Sequence, residues 1–77
     1  MKIKIQCASD QNLIGVERIV DIYVESENYN DEKIIADKIF DTLAEKEYFT
    51  EDKGCKNNVK RDVAKVIKCD IEDIEVI

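Results

Sequence analysis

The chain has 77 residues, and 18 Asp and Glu residues against 12 Lys and Arg residues give it a net charge of −6. This length and an apolar content of 44% predict one α+β domain over residues 1–77, because so short a chain can bury only one hydrophobic core. The acidic balance argues against direct nucleic-acid binding, and the short apolar runs predict a cytoplasmic protein without a membrane segment or export signal.

Two stretches alternate between apolar and polar residues and predict a pair of strands. They span residues 2–7 and 20–25, and the turn residues around Gly15 separate them. The apolar rows are Ile3, Ile5 and Cys7 in the first stretch and Val20, Ile22 and Val24 in the second. This pattern predicts a hairpin with a long loop.

A helix is predicted after the hairpin, with Asn30 or Asp31 as its cap. Apolar residues at steps of three and four continue this helix to about Glu47. They are Ile35, Ala36, Ile39, Phe40 and Leu43. Ile39 and Phe40 lie in the middle of this row, so we expect both side chains in the core.

A second helix is predicted with Asn57 or Asn58 as its cap and its end near Lys68. Its apolar face consists of Val59, Val63, Val66 and Ile67. Residues 73–77 alternate again and predict a closing strand. The predicted order is therefore β-β-α-α-β.

The charged residues on the outer face of the sheet favour one strand order. The first strand carries Lys2 and Lys4, whereas the second and third carry acidic residues. Those residues are Asp21 and Glu25 on the second strand and Asp73 and Glu75 on the third. Because opposite charges pair favourably across strands, we expect the first strand in the middle, in the order 2-1-3. The predicted fold is a two-layer sandwich in which two helices cover one face of a three-stranded mixed sheet.

The sequence lacks the residue arrangements typical of catalysis. It contains no histidine, and its two glycines form no phosphate-binding loop. The three cysteines Cys7, Cys55 and Cys69 are odd in number and widely spaced, which argues against a disulfide framework or a zinc site. We therefore expect no enzymatic activity, no cofactor and no metal, and thiols that folding does not require.

Cys55 is predicted to lie in an exposed loop between Lys53 and Lys56, where neighbouring cations lower the pKa of a thiol. A thiol-based redox function is one alternative, although an incidental surface cysteine is the more frequent case. Cys7 is predicted in the core, and Cys69 at the corner between the second helix and the closing strand. Cys55 should therefore react faster than Cys7.

An acidic row on the first helix is one candidate interaction surface. Asp37, Asp41 and Glu45 lie at steps of four, so they stack like charges along one helix face. The row either binds a basic partner or forms ion pairs with the basic row of the second helix, which consists of Arg61, Lys65 and Lys68. Further acidic residues nearby in the sequence are Glu32, Glu47, Glu51 and Asp52.

Tyr23 on the outer face of the second strand is another candidate, with Asp21 and Glu25 on either side of it. Exposed tyrosines are frequent at the energetic centres of interfaces. The alternative is that the ring lies over Lys4 or the loop. The uncovered sheet face and the closing residues could also support a homo-oligomer; those residues are Ile74, Val76 and Ile77.

These observations favour a non-catalytic protein-binding module, an inhibitor, adaptor or regulator that recognises a protein with a basic surface. A narrower hypothesis is a phage or mobile-element antagonist of a host defence or nucleic-acid enzyme, in which carboxylates mimic the phosphate backbone. The alternatives are a homo-oligomeric structural protein, a redox protein acting through Cys55, and nucleic-acid binding through Arg61, Lys65 and Lys68.

Overall fold

The computed structural model of the protein describes residues 1–9, 12, 14–51 and 53–77, apart from the side chain of residue 29. Its elements are, in chain order, β1 (Lys2–Ser9), β2 (Val16–Glu25), α1 (Tyr29–Leu43), β3 (Tyr48–Phe49), α2 (Cys55–Ile67), a 3₁₀ turn (Ile71–Asp73) and β4 (Ile74–Val76). Both helices pack on a mixed sheet. The predicted α+β fold and its β-β-α-α-β order are confirmed, with one additional short strand.

The sheet has the order β3-β2-β1-β4. β1 is antiparallel to β2 and parallel to β4, so the predicted central position of the first strand is confirmed. Lys2 lies opposite Glu25 of β2. Lys4 lies between Tyr23 and Glu75, which belong to the strands on either side. The charge pattern therefore predicted the order of these three strands correctly.

The fourth strand, β3, was not predicted. It has only two residues and pairs antiparallel with the beginning of β2, where Val16 lies opposite Phe49 and Glu17 opposite Tyr48. Two residues are too few to show an alternating pattern, so Tyr48 and Phe49 carry no strand signal in the sequence. The sheet consequently has four strands instead of three.

A β-bulge in β2 shifts the register between Gln6 and Cys7. Gln6 lies opposite Asp21 and Cys7 opposite Ile19, so Val20 is the additional residue on β2. An additional residue reverses the alternation of side chains between the two faces. Ile19 is therefore buried while Val20 is 50% exposed, and the predicted inward position of Val20 is wrong.

α1 begins one residue before its predicted cap. The Asn28 side chain accepts a hydrogen bond of 3.0 Å from the backbone N–H of Asn30 and thereby caps the helix. The acidic first turn contains Asp31, as expected, and this charge is favourable near a helix N-terminus. The helix ends at Leu43 instead of Glu47, because the chain turns there to enter β3.

α2 begins at Cys55 with Gly54 as its N-cap, and among the described residues no side chain forms a capping hydrogen bond there. The predicted caps Asn57 and Asn58 lie inside the helix. Its end is close to the predicted position: Lys68 adopts a left-handed conformation with φ of 55°, and the next N–H donates to the carbonyl of Ala64.

The core lies between the helices and the sheet. It is a continuous cluster of Ile3, Ile5, Ile19, Ile39, Leu43, Tyr48, Val59, Val63 and Ile74. Ile39 is completely buried, as predicted, but Phe40 is 45% exposed and the prediction of a core position for it is wrong. Successive helix residues are rotated by about 100°, and Ile35, Ile39 and Leu43 already fill the side of α1 that meets the sheet.

Within the described residues, no helix combines the length and apolar character needed to cross a membrane.

The different burial of Ile39 and Phe40 predicts different losses of stability when each side chain is truncated to alanine. Ile39→Ala should lower the free energy of unfolding by about 2–5 kcal/mol, because it leaves a cavity in the core. Phe40→Ala should cost about 1 kcal/mol or less, because its ring is half-exposed. Urea unfolding of both variants measures the two costs, and an equal loss in both would contradict the assigned orientation of α1.

Candidate protein-interaction surface

Asp37 and Asp41 both lie on the solvent-exposed side of α1. They are one helical turn apart, which is about 6 Å along the axis. Their positions on the helix are roughly opposite to that of Ile39, whose side chain is buried against the sheet. The two carboxylates therefore project away from the core.

Glu45, the third predicted member of this row, lies in the turn beyond the end of α1. Its backbone carbonyl accepts a hydrogen bond of 2.8 Å from Arg18, a residue of β2. Arg18 also donates to the carboxylate of Glu47 at 3.1 Å. Arg18 thus holds the turn between α1 and β3, and the acidic row on the helix itself consists of two residues.

The predicted ion pairs between the helices are not formed. Where the chain is described, no ion pair joins the acidic row to the basic row of α2. The geometry of α1 explains this, since Asp37 and Asp41 project toward solvent. The charges that do meet are Lys46, which follows α1, and Asp62 on the body of α2.

A polar cluster around Asp62 connects the end of α1, β3 and α2. The hydroxyl of buried Tyr48 donates to Asp62 Oδ2 at 2.8 Å, and Lys46 forms an ion pair with the same oxygen. The Lys46 ammonium also lies 5.5 Å from the centre of the Tyr48 ring. The cluster borders a groove of about 380 Å³, which Arg61 and Lys65 also line.

The surroundings of Asp62 shift two pKa values in opposite directions. Partial burial alone would raise the pKa of Asp62, but hydrogen bonds from Lys46 and Tyr48 and the charges of Lys46 and Lys65 outweigh it and lower this pKa. Burial and the bond to Asp62 raise the pKa of Tyr48. No local sequence pattern indicates this cluster, because its members come from three separate parts of the fold.

Tyr23 lies on the outer face of the sheet, as predicted, and it is 48% exposed. Its hydroxyl donates to Asp21 Oδ2 at 2.9 Å, and this hydrogen bond and the charge of Asp21 raise the pKa of Tyr23. Lys4 of β1 lies directly opposite Tyr23 in the register. Glu25 is exposed on the same strand, so the three predicted residues of β2, Asp21, Tyr23 and Glu25, lie on one surface.

The two predicted acidic sets lie on different layers of the sandwich. Asp37 and Asp41 belong to the outer side of the helix layer, whereas Asp21 and Glu25 belong to the outer side of the sheet. Between them, a groove of about 550 Å³ runs along the boundary of α1 and β2. It is lined by residues 22–25 of β2 and by Glu32, Lys33 and Ala36 of α1.

Cys55 is the first residue of α2, so its predicted position in a loop is wrong. It is half-buried, packs against the core cluster and lines a hollow of about 430 Å³ together with Lys53 and Lys56. Cys7 and Cys69 are also half-buried free thiols that pack against the core. Burial and the charge of Glu17 raise the pKa of Cys7 to about 11.

The other acidic residues near the predicted acidic row are dispersed over the surface. Glu32 accepts a hydrogen bond from the backbone N–H of Ser26 at 2.9 Å, and Glu51 is exposed. Asp52 lies outside the described residues. In the described ranges, no three acidic or cysteine side chains are grouped closely enough to hold a metal ion.

The Asp62 cluster predicts a measurable contribution to stability. Asp62→Ala should lower the free energy of unfolding at pH 7 by about 1–3 kcal/mol, because it leaves the Tyr48 hydroxyl unsatisfied. The folded-state pKa of Asp62 lies below its ordinary value of 3.8, so its charge stabilises the fold above that value. This contribution is lost as the pH falls through the folded pKa, and the difference between wild type and variant should then narrow.

Urea unfolding of both proteins at pH 7 and near pH 2.5 measures this effect. The control is the double variant Tyr48→Phe with Asp62→Ala, which removes both partners and should be more stable than Asp62→Ala alone. A difference between wild type and Asp62→Ala that grows toward acid pH would contradict the assigned role of the carboxylate.

The thiols should differ in reactivity. In the native protein at pH 8, Cys55 should react with a disulfide reagent faster than Cys7, because the raised pKa of Cys7 leaves little thiolate. The Cys55→Ser variant identifies the fast phase, and mass spectrometry of peptides confirms the modified residue. Faster modification of Cys7 would show that the packing around β1 is less protective than described.

Comparisons with protein-family models, with curated proteins and with solved structures give no match to this chain. The exposed carboxylates of α1 and the groove between α1 and β2 are the candidate interaction surfaces of this fold.

Proposed function

We propose that the protein is a small non-catalytic protein-binding module that recognises a basic surface on another protein. The observation that carries this proposal is the outward position of Asp37 and Asp41 on α1. Both are exposed, and neither forms an ion pair with any described residue. They are available to a partner without breaking an intramolecular contact.

The electrostatics of the chain support a basic partner. Two like charges one turn apart on a helix repel each other by a few tenths of a kcal/mol. A cation supplied by a partner would relieve this repulsion, and the net charge of −6 would accelerate the encounter with a basic surface. The association should consequently weaken as the salt concentration rises.

The proposal does not include mimicry of nucleic acid. A mimic of the phosphate backbone needs a continuous row of negative charges. Here the acidic residues of α1 and those of β2 lie on the outer sides of two different layers. Two carboxylates on one helix are sufficient for contacts with a lysine or arginine pair, and this is the extent of the proposed recognition.

The test neutralises the acidic residues of α1 with Asp37→Asn and Asp41→Asn. No ion pair is lost, so the free energy of unfolding should remain within about 0.5 kcal/mol of the wild type. Proteins captured from a lysate of the source cells by the tagged wild type should bind this variant about tenfold more weakly, a difference of ~1.4 kcal/mol. Affinity capture followed by titration of the purified partner measures this.

The matched control is the variant Glu51→Gln with Glu72→Gln, which changes the net charge equally at two exposed positions outside α1. It should retain the partner at nearly the wild-type affinity. If both variants bind the partner equally weakly, the loss of affinity comes from the change in net charge and not from the α1 carboxylates. Capture of no specific protein by the wild type, or equal binding by the α1 variant, would contradict the proposal.

A further inference from the structure

One long edge of the sheet is open along β2. β3 pairs only with Val16 and Glu17 at the beginning of this strand. Among the described residues, no strand covers the rest of β2 on the side facing away from β1. An edge of this kind presents backbone N–H and C=O groups that can pair with another extended chain.

The direction of the backbone groups follows from the hydrogen bonds of β1. Ile77 N–H donates to the carbonyl of Ile5 at 2.8 Å, so the backbone of Ile5 faces β4. Backbone groups alternate in direction along a strand, so Lys4 faces β2, and its partner Tyr23 faces back toward β1. Ile22 and Val24 therefore direct their N–H and C=O groups toward the open side.

Side chains already accept the backbone N–H groups two residues before and two residues after Val24. Asp21 Oδ1 accepts the N–H of Ile22 at 3.1 Å, and Glu32 Oε1 accepts the N–H of Ser26 at 2.9 Å. The N–H and C=O of Val24 have no such partner among the described residues. Val24, with a donor and an acceptor open among the described residues, thus lies between two residues whose N–H groups are already bonded.

The groove between α1 and β2 lies directly beside this residue. Its volume of about 550 Å³ is bounded by residues 22–25 on the sheet side and by Glu32, Lys33 and Ala36 on the helix side. An extended segment in this groove could exchange two backbone hydrogen bonds with Val24. Its side chains would point alternately toward α1 and toward the outer face of the sheet.

We propose that this groove binds an extended segment of a partner protein, which adds to the sheet beside β2 and in which basic and apolar residues alternate. This inference rests on the proposed function, since the ligand is a protein with basic side chains. It specifies a second contact site, on the flank of α1, and a backbone conformation for the bound segment.

A second copy of the chain fits this edge poorly. α1 packs against β2 itself, whereas α2 packs against β4. Paired strands lie about 4.8 Å apart, but packed helices need about 8–10 Å between their axes. Two β2 strands paired edge to edge would bring their two α1 helices too close together. A single extended segment carries no helix of its own and avoids this clash.

β1 indicates the side chains that suit such a segment. On the other side of β2, Lys2 lies opposite Glu25, Ile3 opposite Val24, and Lys4 opposite Tyr23. A segment on the open side would meet the same three side chains of β2. Basic residues would lie beside the Glu25 carboxylate and the Tyr23 ring, and an apolar residue beside Val24 would lie near Ala36.

The test uses a blocked peptide with the sequence of residues 2–6, Lys-Ile-Lys-Ile-Gln, and the full chain labelled with ¹⁵N. Binding should shift the amide signals of residues 22–26 and slow hydrogen exchange at Val24. A control peptide with both lysines replaced by glutamate should bind at least about tenfold more weakly. Protection of Val24 distinguishes strand addition from displacement of β1, because the Val24 N–H does not face β1.

Two variants test the geometry. Val24→Pro removes the open N–H while preserving the ladder with β1, and Ala36→Trp fills the groove if the proline variant fails to fold. Each should weaken the lysine peptide at least about tenfold. The variant Asp37→Asn with Asp41→Asn should bind the peptide within about twofold of the wild type. The peptide experiment therefore tests the groove alone, and its failure can be distinguished from a failure of the proposed function.

Three results would overturn the inference. They are absence of Val24 protection at about 1 mM peptide, equal binding of the glutamate peptide, and protection of Val24 in a dimer without peptide. Sedimentation of the free chain detects the last of these. If Val24 is not protected and the shifts are confined to the outward side of α1, the groove is rejected while the proposed function stays in place.

Discussion

The central position of β1 is the constraint on which the rest of the structure depends. Ile3 and Ile5 are almost completely buried beneath the helices, and the strand that carries them pairs with β2 on one side and β4 on the other. Their burial gives the sheet its inner face. The intervening Lys2 and Lys4 must then lie on the outer face, where the neighbouring strands supply Glu25 and Glu75 as opposite charges.

Much of this architecture could be predicted from the sequence because it depends on regular patterns. The alternation of apolar and polar residues predicted β1 and the second half of β2, residues 20–25. Charge complementarity between strands predicted that β1 lies in the middle of the sheet. The bulge at Val20 could not be predicted, since two adjacent apolar residues, Ile19 and Val20, do not show which of them faces the core. β3 was missed because two residues do not establish a period. Phe40 was misplaced because apolar residues on a helix flank resemble those on its buried face.

The candidate surfaces were predicted less completely than the fold. The exposure of Asp37, Asp41 and Tyr23 followed from their positions relative to apolar neighbours. Sequence patterns could not show whether the acidic row of α1 faces α2 or solvent, because that depends on how α1 rotates and packs over β2. The groove and the Asp62 cluster both form from residues far apart in the chain, so neither leaves a local signature.

The open edge of β2 and the acidic side of α1 are adjacent features of one helix–strand unit. Their coexistence is consistent with the use of charge to restrict which chains can approach a sheet edge. Asp21 and Glu32 already occupy two backbone donors on this edge. They also raise the electrostatic cost of pairing with another acidic strand, including β2 of a second copy.

The parallel pairing of β1 with β4 also has a consequence for folding kinetics. It joins Ile3 to Ile74, whereas the hairpin and the helices are formed by contacts between residues closer in sequence. Closing so long a loop has a large entropic cost before any contact compensates for it. We therefore expect docking of β4 to be a late event, before which one edge of β1 and its buried isoleucines remain accessible to other unfolded chains.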